Sequence, residues 1–348
     1  MLKFEIDIEP AECPADWMIG PRSFFVDRAT PDFELIRLSS MPIAGGKIEI
    51  TADPDTKSLM PFTPCRRKHA IERKIFPWRY KTIEIDGFAI DYRFGSPQNW
   101  AHILTGHLPL LLKIRSLSDK FREKPITVIL PQNSGKHIMG ICELAGFKTI
   151  ATDAPVNAHF INLSTQLLAL TRDPRRQWIL EETPEEFWPT IYERSKLDRA
   201  HEKIFMVRKA ARKLSNEVEL EEYLGEKGYL KVYAEDYSFE DQFRLLADAT
   251  DIIATHGAAL GPLIYRPATT PRFRLIELFP IGHIASLFRY STHQQNGEWL
   301  SVRGKLKPEH IEPGYALDKP FIQFSQQAFE IDLESLKFAM ETKLPALR

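Results

Sequence analysis

Between residues 203 and 279 short unbroken apolar runs alternate with stretches of helical length, and few folds accommodate that order. Strands are expected at Lys203–Val207, Leu230–Tyr233, Asp251–Thr255 and Arg274–Phe279. Helices are expected over Asn216–Glu226 and Ser238–Ala249, with a short one after Gly257. A strand without a polar face must be covered on both sides. A parallel sheet with crossover helices on its two faces does that with loops this short. The segment therefore predicts a doubly wound α/β half. Local punctuation agrees: Gly228 is placed to end the first helix, and Ser238 with Asp241 has the spacing of a capping box.

The rest of the chain is read against this half. Its 348 residues suggest about two domains. Residues 1–95 hold short alternating stretches, such as 47–51 and 82–86, broken by prolines and glycines, and are expected to form a strand-rich N-terminal segment of a first lobe. Residues 96–178 resume the α/β pattern, with strands at Ile126–Leu130 and Lys148–Ala151 around a helix through His137–Ala145. Residues 179–328, with a helix opened by Pro184, form the second lobe. Residues 329–348 form a C-terminal helix, 332–343, that could pack back on the first lobe.

Composition removes several classes of function. With 46 Lys+Arg against 47 Asp+Glu the net charge is −1, which implies no nucleic-acid partner. No apolar run approaches the ~20 residues of a membrane span, and the charged, alternating N-terminus does not read as a secretory signal. Cys13, Cys65 and Cys142 are odd in number and far apart, which favours neither a disulfide framework nor a zinc site. A reducing cytoplasm is the expected compartment, and the acceptor sequence at Asn162 then carries no glycan.

Three features could carry chemistry. The turn His256-Gly257-Ala258-Ala259 follows a buried strand and opens a helix, where small residues and free N–H groups suit phosphate oxygens, although such a turn and its histidine also serve packing alone. The cluster Arg208-Lys209-Ala-Ala-Arg212-Lys213 begins at the carboxyl end of a strand, the side on which open α/β sheets bind ligands. Its arginines could grip a diphosphate, or the cluster could be a solvated loop. Glu277 lies in the apolar strand Leu275-Ile-Glu-Leu-Phe279 and needs a partner, which a ribose diol, an internal arginine or the backbone could supply.

Together with Asn216, Glu217 and Ser238-Phe-Glu-Asp-Gln242, these residues resemble glycosyltransferase family 61 in order and spacing. Upstream, Asn99-Trp-Ala-His102-Ile-Leu-Thr-Gly106-His107-Leu108-Pro109 is similar to that family's N-terminal-lobe motif. The resemblance covers about 90–345 and is strongest at 203–280. It implies a GT-B-like α/β fold, two facing Rossmann-like lobes, the second binding the nucleotide sugar and the first the acceptor. It implies an inverting hexosyl- or pentosyltransferase of capsule or other surface polysaccharide synthesis, acting on a polysaccharide or lipid-linked glycan. The expected co-substrate is a nucleoside-diphosphate sugar, a UDP-sugar first, with no cofactor and no metal. Carried onto this chain, Arg208, Arg212 and Asn216 would serve the donor, His256, Gly257, Ala258 and Ala259 would line its site, Glu277 would face the ribose, and Asn99 would stand on the acceptor side.

Three positions depart from the family pattern: Gly106 replaces an acid, Pro262 an asparagine, and Gly261 a threonine or serine. The base is therefore sought in His102, with His107 and Asp91 as alternatives. The competing reading is a non-catalytic nucleotide-sugar or glycan-binding protein of the same fold. Asp53-Pro54-Asp55 matches a metal-binding Asp-x-Asp, but it follows no complete nucleotide-binding half and reads as a proline turn. The stretch 65–81, with Arg66, Arg67, Lys68, Arg73, Lys74, Arg79 and Lys81 among Ile75, Phe76 and Trp78, could contact the inner membrane peripherally or be a solvated loop.

Overall fold

The computed structural model describes residues 1–21, 33–60, 81–93, 97–163, 175–307, 310 and 324–341. The basic stretch falls almost wholly at 61–80, outside the described residues. In chain order the strands are β1 (Leu2–Ile8), β2 (Ala11–Cys13), β3 (Asp16–Pro21), β4 (Phe33–Leu38), β5 (Met41–Ile43), β6 (Gly46–Ala52), β7 (Ser58–Met60) and β8 (Ile83–Asp91). They continue with β9 (Ile126–Leu130), β10 (Lys148–Ala151), β11 (Val156–Leu163), β12 (Lys203–Val207), β13 (Leu230–Tyr233), β14 (Asp251–Thr255), β15 (Arg274–Phe279) and β16 (Glu298–Arg303). The chain is mixed α/β and divides into two compact units: Met1–Ala11 with Ala44–Glu193, and Glu12–Ile43 with Arg194–Arg348.

The second unit is built on a seven-stranded sheet in the order β13-β12-β14-β15-β16-β3-β4. The first six strands of that order are parallel, and β4 returns antiparallel to β3. Its central strands are apolar along their length because both faces are covered. On one face Leu220 and Leu224 of helix Glu217–Glu226 and Leu336 of helix Leu333–Glu341 pack with Phe205, Val207, Ile253 and Leu278. On the other, Leu245 and Leu246 of helix Phe239–Asp248 and Phe288 of helix Leu287–His293 pack with Met206, Ile252 and Phe279. From β12 the chain crosses to β13 on one side, then returns past β12 to lay β14, β15 and β16 on the other. The winding direction reverses between β12 and β14, and the carboxyl ends of those two strands flank the crevice.

Two capping details follow the sequence. Gly228 adopts φ +84°, Tyr229 N donates to Leu224 O at 3.0 Å and Gly228 N to Gly225 O at 3.0 Å, a paired closure that a left-handed glycine permits. Ser238 accepts from Asp241 N at 3.2 Å. The Asp241 carboxylate accepts from Ser195 Oγ and Lys196 N, both at 2.7 Å, and ties the start of the unit to this helix.

The first unit holds the sheet β1-β6-β11-β8-β9-β10, with β7 antiparallel to β11. Strands β11, β8, β9 and β10 run parallel, and β1 and β6 extend the sheet antiparallel. Its core includes Ile85, Ala89, Ile129, Val156 and Phe160.

The division differs from the sequence expectation at three places. Residues 12–43 leave the N-terminal segment because β3 pairs with β16 and β4 with β3. The change of unit comes at Glu193/Arg194 instead of 178/179, since Ser195 and Lys196 bind Asp241. Helix Leu333–Glu341 belongs to the second unit, where its Leu336 and Ala339 enter the core beside Ile19 and Val302. Among the described residues no helix is long and apolar enough to cross a membrane.

Candidate donor and acceptor sites

At the carboxyl end of β12 the basic cluster separates into inward and outward members. Arg208 Nη1 lies 3.5 Å from His256 O, and Arg212 Nη1 donates to the same carbonyl at 3.3 Å. Lys209 turns outward to Asp236 and lies over the Tyr233 ring, and Lys213 is exposed. Arg212 is buried, at φ +61°, a conformation that side-chain-bearing residues seldom adopt. Neighbouring carbonyls hold it there: Arg212 N donates to Gln326 O at 3.1 Å and Nε to Ser325 O at 2.7 Å. Burial and the like charge of Arg208 lower its basicity, while Glu277 opposes them. A strained, buried cation kept at a strand end is the kind of outlier that marks functional sites.

His256, at the end of β14, is buried. Its Nδ1 contacts Glu277 Oε1 at a very short hydrogen bond, and its ring stacks on Phe279 with centroids 4.8 Å apart. Glu277 is fully buried on β15, and its other oxygen accepts from Trp299 Nε1 on β16 at 2.9 Å. Both oxygens are therefore occupied inside the unit. The ribose-facing role expected for Glu277 is corrected, because its oxygens are taken internally, by an imidazole and an indole instead of the arginine or backbone named as the alternative. Strand parity explains this. Glu277 points to the same face as Leu275 and Phe279, where β16 presents Trp299.

Gly257 precedes a 3₁₀ helix, Ala258–Tyr265, so Ala258 and Ala259 open a tighter turn than an α-helix would. Pro262, which has no N–H to donate, lies inside that helix. A Cβ on Gly257 would come within 2.2 Å of Arg208 Nη1, so glycine is what lets the guanidinium lie over this turn. Asn216 is the N-cap position of helix Glu217–Glu226, but its amide bonds Ile331 O, Ile331 N and Glu219. It anchors the 324–331 segment that holds Arg212, and is not free to serve as a donor ligand. His283, which sequence reading overlooked, lies with its ring 4.8 Å from that of His256. Burial first, then His256 and Arg212, push its pKa down to about 4. Its position four residues beyond the carboxyl end of β15 was the available signal.

In the first unit Asn99 caps a helical turn, Trp100–His102, accepting from Ala101 N at 3.0 Å and His102 N at 3.4 Å. A π-helical turn, Ile103–His107, leads into helix Leu108–Ser116. Pro109 cannot donate to the carbonyl of Thr105, and the widened turn accommodates that break. His102 is exposed. The two alternatives are not: His107 is buried against Tyr92, with ring centroids 4.4 Å apart, and Asp91 is held by Arg93 through Nε at 3.0 Å and Nη2 at 2.6 Å. Both oxygens of Asp91 are engaged by Arg93, so its observed role is structural. Gly106 has open space around a virtual Cβ, and nothing packed there requires glycine. Asp53 Oδ1 accepts from Asp55 N at 3.0 Å and Thr56 N at 3.3 Å, so Asp53-Pro54-Asp55 is a self-closed turn.

Comparison with known proteins places residues 100–271 on the family model described as glycosyltransferase 61. The match takes in Asn99's helical turn from Trp100 onward, Arg208, Arg212 and His256, and ends before Glu277. Among solved structures, the E. coli heptosyltransferase WaaC with ADP is similar at 10% identity and a TM-score of 0.35, covering 63% of this chain and 91% of that chain. A search of curated proteins returns no match.

Proposed function

The chain belongs to glycosyltransferase family 61 and is a glycosyltransferase, and from that membership we propose that it transfers a hexosyl or pentosyl unit, with inversion, from a UDP-sugar to a hydroxyl of a polysaccharide or lipid-linked glycan. The setting is capsule or other surface-polysaccharide synthesis in the cytoplasm. The architecture is GT-B-like, with the donor on the second unit and the acceptor side on the first. The observation that carries the reading is the convergence of Arg208, Arg212 and the His256–Ala259 turn where the winding of the sheet reverses.

The chemistry asks three things of these residues. A base, His102, takes the acceptor hydroxyl proton as that oxygen bonds the anomeric carbon from the face opposite the diphosphate. The anomeric carbon–phosphate oxygen bond breaks, and its electron pair leaves with the diphosphate. Arg208 and Arg212 stabilise that growing charge in a partly dry site, where fixed cations act strongly.

Calorimetry with UDP tests the reading. Arg208→Ala and Arg212→Ala each remove a charge-assisted contact, typically about 1.5–3 kcal/mol, so each weakens UDP by roughly one to two decades. Parent-like binding of UDP and other nucleotides by both variants sinks the assignment.

A further inference from the structure

Glu277 is a carboxylate with no exposed surface, in a strand whose residues from Leu275 to Phe279 are otherwise apolar, and that burial needs an explanation. It has two neighbours able to hydrogen-bond it: Trp299 Nε1, which can only donate, and His256 Nδ1. A carboxylate can accept from both, which pairs the ring to Glu277 through Nδ1. The ring is then fixed twice, by that bond at its edge and by the Phe279 face beneath it. No hydrogen bond from His256 Nε2 is made among the described residues. Two guanidinium groups, Arg208 and Arg212, meet at the carbonyl of the same residue.

We infer that Glu277 and Trp299 are positioning residues that hold the His256 imidazole with Nε2 directed to the donor diphosphate, as a third hydrogen-bond donor beside Arg208 and Arg212. This rests on the proposed nucleoside-diphosphate donor and deepens it. The carboxylate compensates the ring's second proton while Nε2–H donates to a phosphate oxygen, so the ring acts without a metal and without transferring its proton. Fixing a histidine's orientation through the hydrogen bond at its other nitrogen is a general device, and loss of the outer partner typically costs about 10–100-fold. The charged or titratable groups packed against His256 are Glu277 from β15, His283 from the loop after it, and Arg208 and Arg212 beyond β12. Phe279 and Phe288 complete the surroundings. His283 is held largely neutral above its depressed pKa and does not add a further charge near pH 7.

The test uses the full chain labelled with ¹⁵N-histidine. The parent should show a downfield Nδ1–H resonance that His256→Gln removes. Glu277→Gln, nearly isosteric, should remove or strongly shift it and weaken UDP about ten-fold at pH 7. Trp299→Phe, which frees Glu277 Oε2 but leaves the His256–Glu277 bond, should shift the resonance and weaken UDP in the same direction as Glu277→Gln, by less. Absence of the resonance in the parent, or a resonance and a UDP affinity both unchanged in Glu277→Gln, overturns the inference. A resonance of the expected kind in a parent that binds neither UDP nor any other nucleoside diphosphate fails the donor reading instead, and takes the diphosphate role of Nε2 with it.

Discussion

The carboxyl edge of the second unit and the Asn99–His107 segment of the first unit treat their charges in opposite ways. On the first, Arg208 and Arg212 keep guanidinium edges toward one carbonyl, and a buried carboxylate is used to hold a histidine. On the second, the carboxylate Asp91 is closed off by Arg93 and His107 is packed under Tyr92, which leaves His102 exposed at a capped helix start. On the proposed reading, one region would meet anionic charge and the other would offer His102 as the base. The difference then teaches that leaving-group stabilisation would be built into the sheet, whereas proton removal would depend on one side chain.

Breaking the second region should therefore have the largest effect. A general base contributes typically ~10²–10⁴-fold, so His102→Ala should lower turnover by that order while UDP affinity stays near the parent's. Initial rates with a screened donor, beside calorimetry with UDP, check it. Equal losses in both would move His102 to the donor, and parent-like turnover would remove it from the reaction.

The next test sharpens the inward–outward split within the basic cluster. Gly257→Ala puts a methyl group where Arg208 Nη1 lies, so the guanidinium must move and UDP should weaken roughly 3–10-fold, about 1 kcal/mol. Lys209→Ala breaks an exposed, solvent-screened ion pair with Asp236 and should change UDP affinity by less than about two-fold. Reversal of that order would show that the outward lysine, not the arginine, meets the ligand.

Much of this contrast was legible in the sequence, and what was not has an identifiable physical cause. Unbroken apolar runs declare buried parallel strands locally, so β9, β10, β12, β13, β14 and β15 were readable to the residue, and with them the strand ends where Arg208 and His256 stand. The choice of a distant partner is not written in a local pattern. Residues 16–38 look like any alternating hairpin, and only the pairing of β3 with β16 moves them to the second unit. Side-chain pairing was harder again. That Glu277 would need a partner was clear from its apolar strand, but Trp299 becomes that partner only once β16 lies beside β15 in register. The pairing of Asp91 was likewise not visible in the pattern: Arg93, two residues away, donates to it from both its backbone N–H and its folded-back guanidinium.

A smaller effect concerns acid. His283 has its pKa depressed to about 4 in the folded chain, against an ordinary value near ~6.5 in the unfolded one. Between those values the unfolded state binds more protons, so this histidine's contribution to stability is present above about pH 6.5 and is lost as pH falls toward 4. His283→Asn should flatten the dependence of Tm on pH within that window and leave the unit folded at pH 7. An unchanged slope would mean that the ring is not confined beside His256 and Arg212.

The smallest expected change is none at all, and it probes the contrast between the units most cleanly. A divalent ion in a transferase neutralises the departing diphosphate and orients it. In the proposed reaction two guanidinium groups and the turn after His256 would meet that charge, while the Asp-x-Asp candidate stands in the first unit, on the loop between β6 and β7. Asp53 is already satisfied there: the N–H groups of Asp55 and Thr56 hold its carboxylate below the usual range, chiefly through Asp55. An oxygen engaged in closing its own turn is poorly placed to bind a metal with Asp55 at the same time. Turnover measured in excess EDTA should therefore equal that in magnesium or manganese. Complete inhibition restored by either ion would return the leaving-group role to a metal and remove the distinction drawn between the two regions.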